Sequence, residues 1–357
     1  MLRRLALAAA GALLLLGAAE VLLRLLPVST ATEFGYHVDP LILTYPPGHR
    51  WQVATGWDLR NPQRLQANNF GFASTVDYQP GSNAVALIGD SFVEASMLDE
   101  SDRSAAQFAR AAADGRPVYS LAIPGSSLLD YAERIRFASE RLGVRDFVVL
   151  MEAGDVGQAL CGSGNVHGPC LDARTLQPQQ QLRAAPTALK RVLRHSALLQ
   201  YLLSQIKLDG RRLWRQALAS AAPPSPEDVP EPGVAGAAAL PAAAPTPVRE
   251  EMVRAVTKAF FERVRPYATG RLVLMVDGRR GRAALAAPRE AGTDILRERD
   301  RFLELARAEG AQVIDAEDVY RAHWAASELS IEVGPYDRHL NALGLQLMMG
   351  AGARALR

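Results

Sequence analysis

The sequence predicts an α/β fold in which helices cover both faces of a parallel sheet, with a transmembrane helix at the N-terminus. Hydrophobic residues make up 48% and charged residues 22% of the 357 residues, as in ordinary globular proteins. From residue 84 onward, short apolar segments alternate with longer segments of helical periodicity, which is typical of a parallel sheet buried on both faces. The first 27 residues contain a long apolar run after two arginines.

The N-terminal segment, residues 1–27, is interpreted as an uncleaved signal-anchor. Arg3 and Arg4 precede an apolar run over residues 5–19, and further apolar residues continue to Leu26, with Glu20 carried near that end. The extended run reaches the ~20 residues that a membrane-spanning helix needs. Because basic flanking residues stay in the cytoplasm, the main domain is expected in the periplasm, held to the inner membrane by a single span.

Two alternatives for this segment remain open. The first is a cleaved signal peptide with Gly17-Ala18-Ala19 as its cleavage site, which would make the mature protein secreted. The second is an amphipathic helix buried in the folded protein. Both the anchor and the signal peptide place the rest of the chain outside the cytoplasm.

The rest of the chain is divided into a lead-in and one domain. Residues 28–80 carry aromatics and prolines without a long periodic run, and are expected to be irregular. Residues 81–357 are expected to form the domain. Its predicted strands are Ala84–Ile88, Val118–Ile123, Phe147–Met151, Leu272–Val276 and Gln312–Ile314. Its predicted helices are Ser104–Ala113, Leu128–Leu142, Glu250–Val264, Ile295–Ala308 and Leu343–Leu356.

A long insertion, residues 158–248, separates the third and fourth strands. Its segment Thr187–Leu208 is predicted to form an amphipathic helix with a basic face. This helix is expected to pack on the domain with its charged face in solvent; the alternative is that it lies on an anionic membrane surface. Residues 221–247 are rich in proline and alanine and lack aromatics, so they are expected to be disordered.

The two cysteines agree with export. Cys161 and Cys170 bracket a glycine-rich loop, and an oxidising compartment would favour a disulfide between them. A zinc site formed by both thiolates and His167 is the alternative, although it lacks a fourth ligand at a usual spacing.

The candidate chemistry follows the predicted strands, where ligands bind in open parallel sheets. Ser91 lies in a glycine-containing turn after the first strand, which exposes its hydroxyl and lets its backbone N–H face a developing oxyanion. Gly125 follows the second strand and allows a second N–H donor to approach closely. Of six histidines, only His339 follows the final sheet element with a carboxylate, Asp337, two residues earlier. Ser91, His339 and Asp337 are therefore predicted to form a serine esterase triad.

The order of these motifs resembles the SGNH/GDSL hydrolase superfamily. The matching segments are AVALIGDSFVEA around Ser91, SLAIPGSS around Gly125 and DRHLNALG around His339, in which Asn341 and Gly344 stand at the superfamily's usual offsets. The resemblance implies a three-layer α/β/α, flavodoxin-like fold with a five-stranded parallel sheet. It also implies that Ser91 is the nucleophile. The chemistry needs no cofactor and no metal.

Two positions depart from the superfamily's pattern. Gly154 stands where an asparagine side chain usually completes the oxyanion hole, and losing one such donor typically costs about 2.7–4 kcal/mol of transition-state stabilisation. The usual Asp-x-x-His is shortened to Asp337-x-His339, and Tyr336 occupies the expected aspartate position. This shorter spacing resembles the SGNH-like periplasmic proteins of alginate O-acetylation.

Together these features predict a serine esterase that acts on O-acyl esters, chiefly O-acetyl esters of an envelope or exported polysaccharide, by hydrolysis or acyl transfer. The alternative is a catalytically impaired scaffold or polysaccharide-binding component of an envelope assembly. Asp90, Arg279 and Arg280 border the predicted cleft and are candidate substrate-binding residues; the two arginines are otherwise an ordinary basic surface turn. The net charge of +2 gives no reason to expect a nucleic-acid partner.

Overall fold

The computed structural model describes residues 1–206, 246–287, 293–334 and 337–357. Most of the segment predicted to be disordered, residues 221–245, lies outside these ranges, and so does Tyr336. The described chain forms two compact units. The first comprises residues 1–32, 50–65 and the described part of 185–237; the second comprises residues 33–49, 66–184 and the described part of 238–357.

The elements of the described residues follow in chain order. The strands are β1 (Gly35–Asp39), β2 (Ile42–Thr44), β3 (Arg50–Thr55), β4 (Arg60–Gln66), β5 (Val85–Gly89), β6 (Val118–Ala122), β7 (Asp146–Met151), β8 (Pro169–Leu171), β9 (Pro178–Gln180), β10 (Leu272–Val276) and β11 (Gln312–Asp315). The helices are α1 (Leu2–Leu25), α2 (Ser91–Glu94), α3 (Ser104–Ala112), α4 (Leu128–Leu142), α5 (Asp155–Gln158), α6 (Ala188–Leu193), α7 (Ala197–Gln200), α8 (Thr246–Val264), α9 (Arg282–Ala286), α10 (Asp294–Ala308), α11 (Ala316–Ala326) and α12 (Ala342–Ala355).

The second unit is built on a five-stranded sheet with the order β6-β5-β7-β10-β11. Every neighbouring pair in it is parallel. The predicted α/β fold with a five-stranded parallel sheet is therefore confirmed, and its strand order is that of doubly wound, flavodoxin-like proteins. In this order the connections leave in opposite directions from β5 and β7, which creates a crevice at the carboxyl ends of these two strands.

Alternating side chains place the sheet between two helical layers. Val85, Leu87, Val148, Leu150 and Met275 lie on one face, in an apolar cluster with residues of α3, α11 and α12. The intervening residues of each strand point to the other face because successive strand side chains alternate. Helix α4 contacts β5 and β7 and packs against α8, which in turn packs against α10. The strands are thus covered on both faces, which explains their continuous apolar composition.

The lead-in, residues 28–80, differs from the irregular segment expected. It contains four short strands, of which β1 and β2 form an antiparallel pair in the second unit, while β3 pairs with β4. These strands lie in two-stranded sheets. Strands β1, β3 and β4 are only partly buried and so lack the continuous apolar signal of the central strands, while β2 is buried but only three residues long. Only glycine fits at position 71 of the lead-in. Its φ is +76°, and a Cβ there would lie 2.2 Å from the Tyr45 carbonyl oxygen.

The first unit is organised around α1. This helix is long and apolar enough to cross a membrane, with a mean hydropathy of 2.2 over its most apolar 18-residue window. Near its end, the Glu20 carboxylate accepts hydrogen bonds from Ser196 Oγ and from the backbone N–H groups of Ala197 and Leu198. The carboxylate thereby satisfies the N–H groups that the start of α7 leaves open.

The amphipathic helix predicted over Thr187–Leu208 is interrupted. Its described part consists of α6, α7 and a π-helical segment, Tyr201–Gln205, and Ser196 caps α7. Two apolar side chains of α6 are exposed, Leu189 by 68% and Val192 by 70%. Ser196 ends the continuous helix because its side chain bonds to the backbone N–H of Leu199 instead.

A buried carboxyl group links the lead-in to the last residue of α2. Tyr45 Oη donates to the Glu94 carboxyl, with distances of 3.2 and 3.1 Å to its two oxygens. Glu94 is only 3% exposed, and its burial raises its pKa to about 8. The Arg103 guanidinium offsets part of this increase. At neutral pH this carboxyl therefore holds its proton in the folded protein.

We expect Glu94→Gln to flatten the pH dependence of stability. The folded pKa of Glu94 is raised, so its stabilising contribution is complete below the unfolded value near 4.5 and is lost as pH rises through about 8. The wild-type free energy of unfolding should fall by a few kcal/mol, on the order of 1.4 kcal/mol per pKa unit, across this window. Urea unfolding at several pH values measures the slope. Glu328→Gln, at an exposed carboxylate, is the control, and equal slopes in both variants would contradict the expectation.

Candidate active site

The register of the sheet brings the ends of its strands together. Gly89 of β5 pairs with Ala122 of β6, and Val276 of β10 pairs with Met151 of β7. Strands β5 and β7 are neighbours, and a Cβ on Gly89 would lie 2.6 Å from the Leu150 carbonyl oxygen. The segments that follow these strands therefore emerge at the same edge, at the crevice of the doubly wound sheet.

The structure brings Ser91, His339 and Asp337 into one hydrogen-bonded chain. The distance between Ser91 Oγ and His339 Nε2 is 2.8 Å, and that between His339 Nδ1 and Asp337 Oδ1 is 2.5 Å. With the Nδ1 proton donated to the carboxylate, Nε2 is left to accept the hydroxyl proton of Ser91. The His339 side chain is 28% exposed, so the chain of hydrogen bonds opens to solvent at the base.

The short spacing between Asp337 and His339 has a local explanation. Asp337 Oδ1 accepts a hydrogen bond from the backbone N–H of His339 at 2.9 Å as well as from the ring. A side chain that bonds the backbone two residues later forms an Asx-turn, which bends the chain so that one oxygen reaches both donors. The Phe92 ring packs against the imidazole with a centroid distance of 4.7 Å.

The two predicted oxyanion donors lie in turns joined by a buried arginine. Ser91 opens α2, whose first turn is capped by Asp90, because its carboxylate accepts from the Phe92 N–H at 2.8 Å. Gly125 adopts a φ of +71°, which a side chain would disfavour. Arg134 of α4 donates to the Gly89 carbonyl oxygen at 2.8 Å and also to a hydroxyl in the turn that contains Gly125.

A carboxyl cluster beside Ser91 escaped the sequence analysis. Asp90, Glu152 and Asp155 bring carboxyl oxygens within 4.8 Å of one another. Burial raises the pKa of Asp90 to about 6; burial and the charge of Asp90 raise the pKa of Glu152 to about 8. The pKa of Asp155 is raised by the same causes. At neutral pH Glu152 therefore holds its proton. The sequence carried one signal for this cluster: acidic residues come directly after β5 and after β7, and these two strands are neighbours in the sheet.

Arg279 and Arg280, the candidate substrate-binding arginines, are engaged in ion pairs. Arg279 forms a bidentate pair with Glu317, at 3.0 and 2.9 Å. Arg280 pairs with Asp277, donates to the Arg338 carbonyl oxygen and lies 4.5 Å from the Phe92 ring centroid. Both guanidinium groups thus hold the edge of the crevice in place. Their role in substrate binding stays a prediction, as does that of Asp90, whose carboxylate caps α2.

Cys161 and Cys170 form a disulfide. Because the two sulfur atoms are bonded to each other, neither is available as a thiolate for the alternative zinc site. The closed loop is tied to α4: the His167 N–H donates to Asp130, the residue that completes the capping box of this helix.

Solved structures similar to this chain include three hydrolases. A member of the lipolytic protein G-D-S-L family from Veillonella parvula has 11% identity and a TM-score of 0.37 over 76% of this chain and 96% of its own. A lipase/acylhydrolase from Enterococcus faecalis has 12% identity and a TM-score of 0.37 over 76% and 94%. A catalytic mutant of Axe2, an acetylxylan esterase from Geobacillus stearothermophilus, has 9% identity and a TM-score of 0.39 over 79% and 96%. No protein-family model and no curated protein matched the sequence.

Proposed function

We propose that the protein is a serine esterase of the SGNH/GDSL type, with Ser91 as nucleophile, His339 as base and Asp337 as the residue that orients the base. The observation that carries this proposal is the hydrogen-bonded chain from Ser91 Oγ through His339 to Asp337, at 2.8 and 2.5 Å. It lies at the crevice of a doubly wound sheet, where such folds bind their ligands. The order of the motifs along the sequence supports the same assignment.

The chemistry follows from this chain of hydrogen bonds. Ser91 Oγ attacks the carbonyl carbon of an ester while its proton passes to His339 Nε2. The N–H groups of Ser91 and Gly125 stabilise the resulting oxyanion. When the C–O bond of the leaving alcohol breaks, the proton on Nε2 passes to that oxygen and an acyl-serine remains. Water or an acceptor hydroxyl then attacks the acyl carbon and loses its proton to Nε2. The bond between the acyl carbon and Ser91 Oγ breaks as Nε2 returns this proton to Oγ.

The proposed substrates are O-acyl esters, chiefly O-acetyl groups of an envelope or exported polysaccharide. The support is the Asp337-x-His339 spacing, which resembles that of alginate O-acetylation proteins, together with an N-terminal helix suited to export. Hydrolysis and transfer share the acyl-serine and differ only in the acceptor.

The second candidate function is a scaffold that has kept the fold but lost the reaction. Gly154, which has no side-chain donor at the usual asparagine position, is the observation in its favour. A fluorophosphonate probe separates the two functions because it bonds covalently to an activated serine Oγ. We expect the full-length protein in detergent to be labelled, and Ser91→Ala to abolish labelling. Ser101→Ala, at an exposed serine, is the control. A folded wild type that takes no label would support the scaffold.

Asp337→Asn should slow labelling by about 10²- to 10⁴-fold. An asparagine amide that faces Nδ1 with its N–H group favours the ring tautomer whose proton sits on Nε2, and this nitrogen then no longer accepts the Ser91 proton. The measurement is the rate of fluorophosphonate labelling, compared with that of Asp318→Asn at an exposed carboxylate. A rate within twofold of the wild type would show that Asp337 does not orient the base.

We also propose that α1 is an uncleaved anchor and that the second unit lies in the periplasm. Glu20 near the end of α1 bonds the start of α7, which follows α6 directly in the chain. The exposed apolar side chains of α6 would therefore lie near lipid if α1 spans the membrane, and this supports the anchor. Ala19→Leu removes the small residue before the alternative cleavage site. If α1 is an anchor, the measured masses of wild type and variant should each match the full sequence, and both proteins should resist carbonate extraction from membranes. A wild type that is shorter than the variant would indicate a cleaved signal peptide.

A further inference from the structure

The space beside Gly154 is filled by the side chain of Gln158. A Cβ on Gly154 would lie 3.0 Å from Gln158 Nε2 and 3.7 Å from its Cδ. The backbone of Gly154 is ordinary right-handed helical, with φ −81° and ψ −14°. The backbone does not call for glycine here; a side chain at this position would press against the Gln158 amide, which would have to shift by a few tenths of an ångström. A carboxamide nitrogen stands close to the place where an asparagine at position 154 would carry its own.

The Gln158 amide is held in one orientation. Asn165 Nδ2 donates to Gln158 Oε1 at 2.6 Å, so the oxygen end of the amide is occupied. Ser163 Oγ donates to the Gln158 carbonyl oxygen at 2.7 Å and accepts from the Asn165 N–H at 3.2 Å. Within the described residues, Nε2 donates to no acceptor, so its two hydrogens are available to a ligand.

The same amide pair borders the second oxyanion turn. A Cβ on Gly125 would lie 3.6 Å from Asn165 Oδ1. Asn165 Oδ1 therefore lies beside Gly125, while its Nδ2 bonds to Gln158 Oε1. The disulfide between Cys161 and Cys170 closes the loop that carries Asn165. The amides thus extend from Gly125 to Gly154, along the strand ends that carry the proposed oxyanion hole.

We propose that Gln158 Nε2 is the third hydrogen-bond donor of the oxyanion hole, and that Asn165 is the positioning residue that aims it. This inference rests on the proposed esterase function and concerns the same site. The donor is supplied from one turn of α5 further along the chain, and the missing side chain at Gly154 gives it room. The absent asparagine then no longer argues for an inactive scaffold.

The test measures p-nitrophenyl acetate hydrolysis by the full-length protein in detergent. A donor that acts on the oxyanion stabilises the transition state and not the bound ester, so Gln158→Ala should lower kcat by about 10²- to 10³-fold with little change in KM. Gln158→Glu keeps the size of the side chain and the oxygen that Asn165 binds but removes both donors, and should lose at least as much. Gln181→Ala, which removes the acceptor of the Gly162 N–H in the same loop, should change kcat by less than threefold.

A rescue experiment distinguishes the loss of a hydrogen-bond donor from a change in loop packing as the cause of a lower kcat. Gly154→Asn alone should lower kcat, because the new side chain collides with Gln158. In the Gln158→Ala background the same substitution has room, and should restore kcat at least tenfold. An active wild type whose kcat is unchanged by Gln158→Ala and by Gln158→Glu would overturn this inference and leave the esterase proposal intact. A folded wild type with neither hydrolysis nor fluorophosphonate labelling would overturn both.

Discussion

The buried guanidinium of Arg134 is the interaction on which the reactive edge of the sheet depends. It bonds the Gly89 carbonyl oxygen, at the end of one central strand, and the Ser126 hydroxyl, in the turn after the neighbouring strand. A rigid, planar group with fixed donor directions thereby sets the separation of the turns that carry Ser91 and Gly125. Replacing it would leave both turns without their shared partner.

Arg134 also balances the buried carboxyl groups around it. Its charge opposes the effect of burial on the pKa values of Asp90 and Asp130. Asp130 joins two parts of the structure, because it accepts from the Ser127 N–H at the start of α4 and from the His167 N–H in the disulfide loop. The loop that orients the Gln158 amide is thus bonded to α4, the helix whose Arg134 also bonds the turns that carry Ser91 and Gly125. Removing one partner from such a buried network leaves charges uncompensated.

The central sheet could be predicted because strands buried on both faces must be continuously apolar, as Phe147–Met151 are. Ser91 and His339 could be predicted because their order relative to the strands determines their place at the sheet edge. Gln158 could not, since the four-residue helix that carries it has no periodic signal and its amide is aimed by a loop contact. The partly buried strands of the lead-in were missed for a related reason: two-stranded sheets leave one face open and mix polar with apolar residues.

The double role of one Asp337 oxygen has a consequence for how the site is assembled. Because the carboxylate binds both the backbone and the ring of His339, the acid and the base belong to a single turn with its own internal geometry. Asn341 caps α12 immediately afterwards and fixes that turn from its other side. The triad therefore consists of two locally ordered parts, one at the start of α2 and one before α12. The two parts meet at the hydrogen bond between Ser91 Oγ and His339 Nε2. Any motion that lengthens this distance deprives Ser91 of its base without changing the structure of either part.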